Sequence, residues 1–135
     1  MVFTPALLFV YGTLRPALAR GEPARLIQGL RHCGTATVRG LLYDLGGYPG
    51  LVPGEGTVRG DLLEITSPEQ LAALDAYEEC DGPDPLYRRE LMPVVRAEGQ
   101  EALAWVYLYA RSLAAARRIP SGDYSAARRR GPVAE

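Results

Sequence analysis

Lysine is absent: all fifteen basic residues of the 135-residue chain are arginine, which excludes Schiff-base chemistry and a lysine general base. Histidine and cysteine are scarce. His32, Cys33 and Cys80 form no C-x-x-C or H-x-x-x-H spacing, so no metal centre is expected. A Cys33/His32 nucleophile pair is not expected either, because neighbours on a strand point to opposite faces. Serine is sparse and G-x-S-x-G does not occur. An excess of charge is also lacking: fifteen basic against sixteen acidic side chains leave a net charge of -1, with no overall field to attract nucleic acid or an anionic membrane. Small uncharged or zwitterionic partners fit better. Long hydrophobic runs are missing as well. The apolar run near the N-terminus is far shorter than a signal-peptide core or a membrane span, and no basic segment precedes it. A cytoplasmic protein with reduced thiols is the expectation.

What is present suits one loop-rich domain, expected over residues 1–125, with an Arg-rich C-terminal tail at 126–135. The 15 glycines and 11 prolines read as turn devices rather than as low complexity. The chain is organised around Leu7 to Arg15. Ala6 to Val10 is an unbroken apolar run that stops at Gly12, as a strand buried on both faces does where it meets a sharp turn. Gly12 lets a ligand approach the backbone, and the N–H groups of Thr13 and Leu14 are then able to hold a carboxylate or an oxyanion. An ordinary strand-ending turn accounts for the same residues.

Further along, Pro23 to Leu30 reads as a short helix and Cys33 to Tyr43 as a long strand bent at Gly40. Asp44 to Gly56, dense in Gly and Pro, reads as a loop that carries Tyr48-Pro49, either beside a ligand or as a lid on the core. Thr57 to Ile65 alternates as a strand. Ser67-Pro68-Glu69-Gln70 is a capping box with proline at the first helical position, so a helix begins there, with Leu71, Leu74 and Tyr77 on its buried face and its end near Tyr77 to Cys80. Asp75, Glu78 and Glu79 then lie near its C-terminus, where the helix dipole opposes negative charge and favours a raised pKa. That tuning suits a general base, although a solvated acidic helix end reads the same. Leu86 to Arg96 and Glu101 to Tyr109 form a hairpin around Ala97-Glu98-Gly99-Gln100, and the second strand, apolar on both faces, should be central. The Arg-rich stretch from Arg111 to Glu135 reads as a solvated terminus rather than a nucleic-acid tail.

Taken together, Tyr11-Gly12-Thr13-Leu14 after an apolar strand, Tyr48-Pro49, Val58-x-Gly60, Leu74-Asp75-x-Tyr77-Glu78, Tyr87-x-Arg89, Trp105-x-Tyr107 and Ser121-Gly122-Asp123-Tyr124 resemble the γ-glutamylcyclotransferase-like family, in its γ-glutamylamine cyclotransferase and AIG2-like branch. The resemblance implies an α+β fold, a small mixed β-barrel with helices packed outside and a cavity floored by the first turn. It implies cofactor-free cyclisation of a small γ-glutamyl amine or peptide to 5-oxoproline. Glu78 would be the acid/base, and Tyr11, Gly12, Thr13 and Leu14 would hold the substrate carboxylate or reacting carbonyl oxygen. Tyr48, Tyr87 and Tyr124 are expected as walls of the site. This chain departs from the family in carrying Glu79, where a glycine or small residue is usual, and in the stretch Asp81 to Pro85. Successive helical residues differ by about 100° in direction, so Glu79 is expected to face away if Glu78 faces the cavity. A non-catalytic metabolite-binding protein of the same fold is the alternative, and retention of Glu78 argues against it.

Overall fold

Residues 3–130 are described in a computed structural model. Strand β1 (Ala6–Val10) runs antiparallel to β3 (Pro49–Ile65) on one side and parallel to β5 (Glu101–Tyr109) on the other. β3 pairs with β2 (Arg31–Asp44), β2 with β4 (Tyr87–Arg96), and β4 with β5 in the expected hairpin. The five strands therefore close into a mixed barrel in which each is paired on both sides. A short β6 (Arg117–Arg118) adds to β2 at Tyr43 and Asp44.

Side-chain alternation along the strands sorts the core into two clusters. Phe9, Val38, Leu42, Leu62, Val94 and Val106 belong to the one that fills the barrel. Leu8, Val10, Leu63, Ile65, Leu74 and Tyr107 belong to the other, under the helices. Strand β1 and the Gly60 to Ile65 part of β3 are thus covered on both faces, which is why Ala6 to Val10 carries no polar residue. Helix α1 (Glu22–Ile27) sends Leu26 and Ile27 into the outer cluster. Helix α2 (Pro68–Tyr77) starts at the expected capping box: Ser67 Oγ accepts from the Gln70 amide at 3.2 Å, and Gln70 Oε1 accepts from the Ser67 amide at 3.3 Å. Helix α3 (Tyr124–Arg130) runs across the division expected at residue 125, and the rest of the Arg-rich segment lies outside the described residues. Among the described residues, no helix is long and apolar enough to cross a membrane.

The expectation of a loop over Asp44 to Gly56 is wrong. Only Leu45 to Tyr48 turns, closed by a 2.9 Å bond from the Leu45 amide to the Tyr48 carbonyl, and β3 begins at Pro49. The glycines here serve close packing inside a sheet. A Cβ at Gly50 would stand 2.9 Å from Tyr109 Cβ, and one at Gly54 would stand 2.4 Å from Leu41 Cγ. The pairing slips where Gly40 of β2 faces Pro53 to Gly56, between the pairs Arg39↔Thr57 and Leu41↔Val52. That slip bends the strand at Gly40.

Candidate active site

The C-terminal end of β1 opens into a cavity of about 340 Å³. The turn Gly12 to Leu14 forms one side, Gly47 to Pro49 a second, the end of α2 from Tyr77 to Glu79 a third, and Tyr87 and Tyr107 the remainder. Gly12 to Arg15 is a tight turn in which the Arg15 amide donates to the Gly12 carbonyl at 2.9 Å. Its middle amides, those of Thr13 and Leu14, have no acceptor among the described residues, and both residues border the cavity. Gly12 has no left-handed backbone. Its role is close approach: a Cβ there would meet Pro49 Cγ at 2.5 Å and Cδ at 2.7 Å, so the turn and the start of β3 press together over glycine.

Helix α2 ends in a Schellman turn. The Cys80 amide donates to the Asp75 carbonyl and the Glu79 amide to the Ala76 carbonyl, both at 3.1 Å, with Glu79 left-handed at φ 55°. Glu78 is the last residue before that reversal, partly buried against the cavity. No Arg or His among the described residues pairs with it. Loss of hydration pushes its carboxyl up to about 8, and the Glu79 charge adds to the shift. Glu79 itself is exposed but borders the same cavity. The expectation that it faces away fails because the helical rotation stops at Glu78 and the left-handed residue takes a different path.

Phenols tie the cavity together. Tyr11 Oη donates to the Tyr107 carbonyl at 2.5 Å and accepts from the Leu51 amide at 3.2 Å; Tyr87 Oη donates to the Pro49 carbonyl at 2.6 Å. These hydroxyls are committed to backbone, so Tyr11 and Tyr87 border the cavity with their rings. Tyr107 Oη donates to Asp75 Oδ1 at 2.7 Å, and Arg89 clamps the same carboxylate at 2.8 and 3.0 Å while lying over Trp105. This chain of contacts links the helix that carries Glu78 to the strand that carries the Gly12 turn. Burial pushes the phenols of Tyr11, Tyr87 and Tyr107 well above their ordinary range, so they remain protonated donors. Burial, with Asp75 and Glu78 nearby, pushes the Cys80 thiol up to about 12, which makes it a poor nucleophile.

Tyr11, Gly12, Thr13, Leu14, Tyr48, Glu78 and Tyr87 therefore come together at one cavity, with Tyr48 at its rim, 36% exposed. Tyr124 does not join them. The chain turns back at Gly122, whose carbonyl accepts from the Arg59 amide at 2.7 Å, and Tyr124 is buried in the cluster that fills the barrel. Tyr77, expected on the buried face of the helix, borders the cavity beside Glu78; Tyr107 was not expected there, and alternate tyrosines on a strand apolar on both faces are the signal that points to it. A second polar group lies outside the cavity: Arg15 binds Asp61 at 2.7 Å and Asp123 at 3.2 Å, and His32 Nε2 lies 3.0 Å from Asp61. Among the described residues no group of three or more His, Cys, Asp or Glu is placed to hold a metal ion.

The model of the family described as gamma-glutamyl cyclotransferase, AIG2-like, matches residues 8–126. The chain is 35% identical over 117 residues to the gamma-glutamylcyclotransferase family protein YtfP of Escherichia coli K12, covering 87% of this chain and 94% of that one. Its fold is similar to the solution structure of E. coli YtfP, with a TM-score of 0.64, 34% identity and coverage of 87% and 95%. It is also similar to the crystal structure of an AIG2-like protein from Mus musculus, with a TM-score of 0.67, 25% identity and coverage of 80% and 79%.

Proposed function

The chain belongs to the gamma-glutamyl cyclotransferase, AIG2-like family, and from that premise we propose that it cyclises a small γ-glutamyl amine or peptide to 5-oxoproline, with Glu78 as general acid and base. One observation carries the reading: a carboxyl held near 8, without a cationic partner among the described residues, shares a cavity with the unbonded amides of Thr13 and Leu14.

The reaction needs a base first, because the α-amine of a γ-glutamyl compound is largely protonated near neutral pH. The ionised Glu78 takes a proton from the α-ammonium, and the freed nitrogen forms a bond to the γ-carbonyl carbon. Charge then gathers on the carbonyl oxygen. The Thr13 and Leu14 amides hold either this oxygen or the substrate carboxylate, and donors already in place spend nothing on reorientation. The bond from the γ-carbon to the departing nitrogen breaks as that nitrogen receives its proton from Glu78. Over the cycle the α-nitrogen gives up two protons and the departing nitrogen gains two, so no water is consumed. A pKa near 8 lets one group accept and return protons close to neutral pH. Attack is intramolecular, so the cavity mainly has to fold the substrate until the two ends meet.

On this reading the partner is a small γ-glutamyl compound, not a nucleic acid or a membrane, and the enzyme works in the cytoplasm without a cofactor. The test is 5-oxoproline release from a panel of γ-glutamyl amides and dipeptides. Release from at least one, lost in Glu78→Gln, is expected. Tight binding of such a compound with no 5-oxoproline from any would replace the enzyme with a binding protein.

A further inference from the structure

We infer, on the cyclotransferase reading just given, that Glu79 is a specificity-determining residue and that the amine released carries a second positive charge, which Glu79 binds at the cavity mouth. The first ground is the backbone. Glu79 is the only non-glycine residue with positive φ among the described residues, at 55°, in the position of a Schellman turn that glycine fills with least strain. A side chain kept at such a place needs a reason outside the turn.

The second ground is position. Glu79 borders the same cavity as Glu78, is exposed to solvent, and is near enough for its charge to act on Glu78. The departing nitrogen takes its proton from Glu78, so the group it carries begins beside Glu78 and runs out past the next residue. The third ground is charge. Glu78 and Glu79 are the only charged residues among those lining the cavity. The arginines closest in sequence to its walls are occupied: Arg15 by Asp61 and Asp123, Arg88 by Glu90, and Arg89 by Asp75. Glu79 has no ion-pair partner among the described residues. At the rim, Tyr48 offers an exposed ring and Tyr77 a partly buried one, and an aromatic face attracts an ammonium as well. A mouth with one free carboxylate, tyrosine faces and no counter-cation favours an ammonium over a methyl group and repels a second carboxylate.

The experiment compares three γ-glutamyl amides of matched length, made from diaminobutane, pentylamine and aminobutyrate, which end in an ammonium, a methyl and a carboxylate. With the full chain, kcat/KM from 5-oxoproline release should fall in that order, with a step of about five- to tenfold from ammonium to methyl that shrinks as salt is raised. In Glu79→Gln the ammonium-to-methyl ratio should collapse towards one, and Glu79→Asp should restore part of it. Glu79→Gly, which suits the turn, is the second variant should the glutamine form fold poorly. A purely structural role for Glu79 would move all three amides together and leave the ratio alone. Equal turnover of the three, or a ratio unchanged in both the Gln and Gly variants, overturns the inference and leaves the cyclotransferase reading standing. No 5-oxoproline from any of the three amides or from the wider panel overturns both.

Discussion

Two carboxylates flank the first turn, and their surroundings are opposite. Asp61, 5% exposed on β3, is bound by Arg15 and His32, so its charge is met by partners on both oxygens. Glu78, across the turn at the end of α2, has neither an Arg nor a His partner among the described residues and faces a cavity. A buried charge that is paired fastens structure, and one left unpaired shifts its pKa and becomes available for proton transfer. The same side-chain chemistry thus gives a clasp in one place and a base in the other, and the difference lies in what stands opposite.

The sharpest way to break the comparison is Glu78→Gln. It keeps shape and removes the proton acceptor, so kcat should drop by roughly 10² to 10⁴ fold. In the unsubstituted enzyme, kcat/KM should rise with pH through a limb near 8, where Glu78 becomes a carboxylate. Stability should move the other way. An acid whose folded value lies above its ordinary range holds more protons folded than unfolded. Its favourable balance is complete below the ordinary carboxylate range and is lost as the pH rises towards 8. Glu78→Gln should therefore raise the unfolding midpoint, more at about pH 9 than at about pH 5. A gain that is the same at both would show that Glu78 is not a buried, uncompensated acid.

Asp61→Ala should do the reverse. It leaves the buried Arg15 guanidinium with Asp123 alone and His32 without its partner. The expected loss is about 3 kcal/mol in a urea titration, with kcat of the folded enzyme changed less than about tenfold. A loss of rate as deep as that of Glu78→Gln would make Asp61 part of the chemistry and erase the contrast.

Gly12→Ala tests the turn between the two acids. Its Cβ would press on the Pro49 ring, so that ring must shift, at about 1 to 3 kcal/mol, and KM should rise as the cavity wall moves. Unchanged stability and KM would show that the turn and β3 are not in contact in solution. The smallest effect belongs to Glu79→Gly. Release of the left-handed strain should gain roughly 1 kcal/mol, reduced by the added freedom of glycine in the unfolded chain. A lower thermal midpoint for this variant would mean that the turn carries no strain at Glu79.

How far the sequence could be read depends on the range of each interaction. The capping box at Ser67 and Gln70, the hairpin turn at Ala97 to Gln100 and the apolar strand ending at Gly12 are settled by residues a few places apart, and all three were legible. Glycine is where local reading misleads. Between Asp44 and Gly56 it signals a loop, yet Gly50 and Gly54 are there because Tyr109 and Leu41 pass too close for a side chain. Tyr124 was misplaced for a related reason: the reversal at Gly122 buries it in the barrel, and that reversal answers to Thr57 and Arg59, far away in the chain.

By itself the sequence determined the start of the second helix, the β4–β5 hairpin, the absence of lysine and the presence of an acid at the end of the second helix, since these follow from composition and from neighbours within one turn. Only the tertiary structure decided which acid is paired. Asp61 meets its arginine from 46 residues away, whereas nothing comparable reaches Glu78 among the described residues, and burial and partners at such separations exist only once the barrel has closed.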